Sequence, residues 1–140
     1  MSFINAKFFD FDWSTLLKFK ISDYDTIVFS GSTVEAIEAF LEASKTLIID
    51  IPPKLRGSEK ENFVSKIKNV IPFIEKSTIE NVLFISSTSV YGDDNSIVTE
   101  ETEPHPETES GNQLLHTEQL LQSNTNFKTT VLRFGGLIGE

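Results

Sequence analysis

At 140 residues, with 39% apolar side chains and twelve phenylalanines, the chain is long enough to bury one core without disulfides or structural metals. It contains no cysteine, which excludes a disulfide framework, a thiol nucleophile and a thiolate metal site. A net charge of −9 and a pI near 4.7 repel a phosphate backbone, and no apolar run reaches membrane-spanning length, so neither nucleic acid nor membrane is an expected partner. Met1 to Asp12 lacks the basic and apolar regions of a signal peptide, and the expected setting is cytoplasmic.

Strand and helix patterns alternate along the chain, which predicts one α/β domain over residues 1–140: a Rossmann-like parallel sheet with helices on both faces. Strands are expected at Lys7 to Phe11, Thr26 to Ser30, Thr46 to Ile51, Asn81 to Ile85 and Thr129 to Phe134. A short, weak helix is expected near Ser14 to Phe19. The second opens at the capping box Ser32-Thr33-Val34-Glu35 and puts Val34, Ile37, Phe40 and Leu41 on one face. A third opens at a similar box, Ser58-Glu59-Lys60-Glu61, and carries Phe63, Ile67, Val70, Ile71 and Ile74 at helical spacing. Pro72 should kink or split it. The fourth runs from about Gly111 to Gln122 with Leu114, Leu115 and Leu121 inward.

The densest chemistry lies at residues 84–92, Phe-Ile-Ser-Ser-Thr-Ser-Val-Tyr-Gly, where a buried-looking strand breaks into hydroxyl-rich turns. A parallel sheet binds ligands at that carboxyl rim. The run resembles the catalytic-serine strand of the NAD-dependent epimerase/dehydratases, the extended short-chain dehydrogenase/reductases, which carry a Ser-Ser-x-x-Val-Tyr-Gly signature. The resemblance continues through an acidic loop, Thr99 to Glu109 with Pro104 and Pro106, then a helix with Gly111 and Glu118, then a strand reading Leu132-Arg133 before a glycine turn. It implies an NAD(P) cofactor, a nucleotide-sugar-like substrate, and Ser87 as the family-equivalent catalytic hydroxyl, with Ser86 and Tyr91 beside it as candidate cofactor contacts.

The same alignment puts Ser110 at the position of the family's catalytic Tyr and Leu114 at that of its Lys. The phenol moves the substrate proton and the ammonium lowers the phenol pKa while holding the cofactor ribose. Leu114 can do neither. Ser110-Gly111-Asn112-Gln113 fits a Ser-x-x-Gln capping box, which makes a helix cap the expected role of Ser110. The front departs further: a glycine-rich strand-turn-helix that would cradle a pyrophosphate is missing, and Ser2 to Asp12 reads like the family's third strand with its trailing aspartate. On this reading Met1 opens partway into the fold, which is incomplete on its N-terminal side.

A competing register exists for the front half. Thr26 to Ser30, Gly31-Ser32-Thr33, an amphipathic helix and Thr46 to Asp50 have the layout of a dinucleotide unit, with Gly31 and Asp50 as candidate cofactor contacts, although two of its three glycines are missing. In the family register, Ile51-Pro52-Pro53 resembles the loop after the fourth strand, which would make Thr26 to Ser30 a stand-in for the first. His105, between Pro104 and Pro106 among glutamates, reads as solvated loop and His116 as exposed; no metal site is expected. Trp13 and Tyr24 read as packing residues.

Two classes of function remain open. One is a degenerate, non-catalytic domain acting as a binding or assembly module, with no cofactor bound by the isolated chain. The other is an epimerase/dehydratase or reductase that still binds a nucleotide or nucleotide-sugar and takes its cofactor site from a partner chain. Family members pair through two helices, which here correspond to Glu59 to Lys76 and Gly111 to Gln122. A homodimer is expected, built on these helices or by edge pairing or strand exchange near residues 3–11.

Overall fold

The computed structural model describes residues 2–5, 25–27, 34–42, 44–53, 62–93 and 97–135. In chain order these form β1 (Ser2–Asn5), β2 (Asp25–Ile27), α1 (Val34–Glu42), β3 (Thr46–Asp50), α2 (Phe63–Lys76), β4 (Asn81–Ser87), α3 (Glu109–Gln122) and β5 (Lys128–Phe134). A single 3-10 turn, Thr88–Val90, follows β4. The five strands make one parallel sheet of order β2-β1-β3-β4-β5.

That order is a doubly wound one, and its reversal point lies between β1 and β3. It corrects two readings of the front half. Ser2–Asn5 stands between β2 and β3, the first-strand position, rather than the position of a third strand; β2 lies outside it and does not stand in for it. Because β1 separates β2 from β3, these two are not the adjacent strands of a dinucleotide unit, which removes the basis for pairing Gly31 with Asp50. The expected strand Lys7 to Phe11 and helix Ser14 to Phe19, together with Trp13, Tyr24, Gly31 and the box at Ser32, lie outside the described residues.

The crossovers from β2 to β3, β3 to β4 and β4 to β5 all advance in the same direction, so right-handed connections put α1, α2 and α3 on one face, where α1 packs on α2 and α2 on α3. Of the two expected helix layers, the described residues contain this one. The core lies between it and the sheet: Leu47 and Ile49 of β3 and Val82 and Phe84 of β4 meet Ile37, Leu41, Phe63, Ile67, Ile71, Ile74, Leu114 and Leu121. Phe63 and Phe84 stack with ring centroids 6.3 Å apart.

Helix α2 starts later than the box at Ser58 implied. Asn62 is its N-cap and accepts from the Ser65 N–H at 2.9 Å, while the Phe63 N–H donates to Gln113 Oε1 at 2.8 Å. The helix passes through Pro72 unbroken. Pro72 is exposed, so the carbonyl it leaves without a partner falls on the solvent side, where water can satisfy it.

Candidate functional site

The carboxyl end of β4 carries the candidate site, and strand alternation divides its residues between two faces. Val82, Phe84 and Ser86 point to the helix layer; Leu83, Ile85 and Ser87 point away from it. Ser86 is therefore buried, and its hydroxyl donates to Glu118 Oε1 at 2.5 Å. Ser87 is half-buried on the face away from these helices, and its Oγ accepts from the Ser89 N–H at 3.1 Å, capping the 3-10 turn. A hydroxyl that accepts one bond there still has a proton to donate.

Glu118 is the buried centre of the arrangement, at 1% exposure. Arg133, opposite Ser86 in the β4–β5 register, donates from Nη2 to Glu118 Oε2 at 2.6 Å and from Nε to both carboxylate oxygens at 3.1 and 3.2 Å. Hydrogen bonding to Glu118 holds the guanidinium pKa above its ordinary value, against a smaller opposing effect of partial burial, so Arg133 stays cationic. Its Nη1 donates to the Tyr91 hydroxyl at 2.5 Å, and that hydroxyl donates to the Thr99 carbonyl at 3.0 Å. Tyr91 thus ties Arg133 to the acidic loop, and Ser86 ties β4 to α3.

The start of α3 is pressed against the turn after Ser87. A Cβ on Gly111 would lie 2.3 Å from the Ser89 carbonyl oxygen and 2.9 Å from Pro106 Cβ, so only glycine allows this approach. Ser110 is consequently beside the serine turn, but it does not cap the helix. Thr108 does, its Oγ1 accepting from the Gly111 N–H at 3.0 Å, while Gln113 reaches across to α2 and to Glu109. Pro106 holds His105 before it out of the helical region, so the helix starts after the proline, and its Thr108 cap lies two residues earlier than the Ser110 box. Leu114 is 4% exposed and belongs to the core; Leu121 is buried with it and Leu115 is half-buried. Asp50 is exposed at the end of β3, in register with Asn5 of β1. His105 and His116 are both exposed, and among the described residues no group of three metal-ligating side chains comes together.

The central residues of this network, Glu118 and Arg133, entered the sequence reading only as alignment markers. A signal was present: Gly111, Leu114, Glu118 and Leu121 form one helical stripe, and a carboxylate in a buried stripe requires a cation.

The architecture can be compared with known proteins. A UDP-glucuronic acid 4-epimerase from Bacillus cereus, solved with NAD, superposes with a TM-score of 0.66 at 17% identity, covering 87% of this chain and 42% of that one. A Methylobacillus flagellatus protein described as an NAD-dependent epimerase/dehydratase gives 0.62 at 23% identity, with 84% and 42% covered. The fold is that of the NAD-dependent epimerase/dehydratases. A UDP-N-acetylglucosamine 4-epimerase from Methanobrevibacter ruminantium, with a TM-score of 0.63, 16% identity and coverage of 94% and 53%, shares this epimerase/dehydratase fold. In sequence, the chain is 31% identical over 103 residues to protein YeeZ of Escherichia coli, covering 74% of this chain and 37% of YeeZ. No protein-family model matches. The chain therefore spans well under half the length of this curated relative. Among the described residues, no helix is long and apolar enough to cross a membrane.

Proposed function

We propose that the chain is a member of the epimerase/dehydratase family that has lost catalysis and serves as a binding or assembly module. The observation that carries this reading is Leu114: the position of the family's Lys holds a side chain 4% exposed in the hydrophobic core. An ammonium there could neither reach a cofactor ribose nor tune a phenol. Ser110 at the Tyr position adds only an unassisted alcohol, and losing general acid/base help is commonly worth roughly 10²- to 10⁴-fold in rate.

The NAD(P) implied by the fold does not fit the residues present. The strand at the first-strand position, β1, is followed by residues 6–24, which contain no glycine to let a backbone approach a pyrophosphate. We expect no saturable calorimetric heat on titrating the chain with micromolar NAD+ or NADP+; a hyperbolic isotherm would overturn the reading. Epimerase, dehydratase or reductase turnover should also be undetectable, and Ser110→Tyr with Leu114→Lys should not restore it. The Lys would enter the core instead of a site and lower the melting temperature.

The second reading, a cofactor-dependent enzyme completed by a partner chain, is supported by one observation: the Ser87 hydroxyl stands at the carboxyl end of β4 with a proton still to donate. NAD+ binding that appears only when a second polypeptide is added would distinguish it.

A further inference from the structure

Ligands of doubly wound sheets bind outside the carboxyl ends of the strands, at the crevice where strand order reverses. Here one wall of that crevice, between β1 and β3, is the end of β3, and among the described residues its chemistry is one-sided. Asp50 is an exposed carboxylate, and Ile51-Pro52-Pro53 follows, in which neither proline has an N–H. The wall therefore offers hydrogen-bond acceptors and negative charge but few donors, the reverse of an anion cradle.

Register extends the site across the neighbouring strands. Ile48 pairs with Leu83 and Ile49 with Phe84, which puts Asp50 beside Ile85; Ile85 pairs with Leu132 and Ser87 with Phe134. By alternation Asp50, Ile85, Ser87, Leu132 and Phe134 share the face away from the helices. Leu132 is 39% exposed and Phe134 45% exposed, whereas the other large aliphatic residues of β3 and β4 are better covered. Strands are spaced about 4.8 Å apart and residues rise about 3.3 Å along them, so Asp50 stands about 10 Å across the sheet from Leu132 and about 12 Å from Phe134, with Ile85 and the Ser87 hydroxyl between. Arg133, the guanidinium that the described residues place at this end, lies on the opposite face and is committed to Glu118. A carboxylate at one side, an apolar floor and an exposed aromatic ring at the other suit a cation with an apolar body, and a net charge of −9 favours its approach.

We infer that this rim binds a small organic cation, an ammonium group at Asp50 with its apolar part laid over Ile85 and Phe134. The inference rests on the reading that the rim does not take a dinucleotide. It is tested on the full chain with three probes of one shape and different charge, benzylamine, benzyl alcohol and benzoate, followed by ligand-observed NMR titration, with NAD+ as a separate arm. Benzylamine should bind at millimolar concentration, about fivefold tighter than benzyl alcohol, with benzoate weakest. Asp50→Asn should bring benzylamine to the level of the alcohol, and added salt should do the same to the wild-type chain. Phe134→Ala should weaken benzylamine and benzyl alcohol alike. Benzoate binding as well as benzylamine, no benzylamine binding at millimolar concentration, or an unchanged preference in Asp50→Asn would overturn the inference. Binding of NAD+ would instead sink the non-catalytic reading on which it rests.

Discussion

Gly111 and Arg133 do different work at the same end of the sheet. Gly111 is fixed by distance: an added Cβ would meet a backbone oxygen at 2.3 Å, and backbone does not yield as the tip of a side chain does. Gly111→Ala should therefore destabilise by about 1–3 kcal/mol, the usual range for overpacking, visible as a lower denaturation midpoint; an unchanged midpoint would show that α3 can slide away from the Ser89 turn. Arg133 is fixed by charge. Arg133→Met leaves the buried Glu118 without its cation and should cost about 3–5 kcal/mol, whereas Arg133→Met combined with Glu118→Gln should recover part of the loss. Equal losses in the single and double variants, measured by urea unfolding, would mean that Arg133 acts through packing and its contact with Tyr91 alone.

Element boundaries show where local sequence decides and where it does not. Thr108 and Ser110 both have the chemistry of an N-cap, and the geometry chooses Thr108. Thr108→Ala should cost about 1 kcal/mol, while Ser110→Ala, inside the first turn, should change stability by less than about 0.5 kcal/mol. The reverse ranking in thermal melts would move the helix start back to Ser110. The misreading had a physical source: Gln113, the far end of the expected box, is used to satisfy the Phe63 N–H on another helix, and a tertiary bond of that kind leaves no trace in local spacing. Strands β3, β4 and β5 were legible because their apolar runs are bounded by turn residues and paired in sequence order. Leu114 was legible as inward from periodicity. The place of β1 was not, because strand order is set by crossovers, and a four-residue strand carries no mark of which neighbours it will pair with. Ser86 and Ser87 show the same limit within a site. They are adjacent and chemically identical, yet the pleat puts one against Glu118 and the other on the opposite face.

At the scale of the whole molecule, α2 and α3 lie side by side as the helices on β3–β4–β5, and they also form the surface through which we propose that two copies associate. In the alternative, edge pairing or strand exchange near residues 3–11, Ser2–Asn5 offers no free edge because β1 has a strand on each side, and residues 6–11 lie outside the described residues. The helical surface mixes exposed Lys68, Asn69, His116 and Gln119 with half-buried Val70, Phe73, Leu115 and Leu120. An isologous contact around a twofold axis would finish covering those four apolar side chains. Ile67 is unsuitable as a probe, because at 2% exposure a charge there would disrupt the core rather than the contact. Leu115→Glu is the better test, with His116→Glu as a second variant at an exposed neighbour. We expect light scattering to give a dimer for the wild-type chain and both variants to shift it toward monomer as concentration falls, with His116→Glu retaining the wild-type melting profile when both are compared as monomers. A wild-type chain that stays monomeric across a wide concentration range, or variants that dimerise as well as wild type, would rule out this surface.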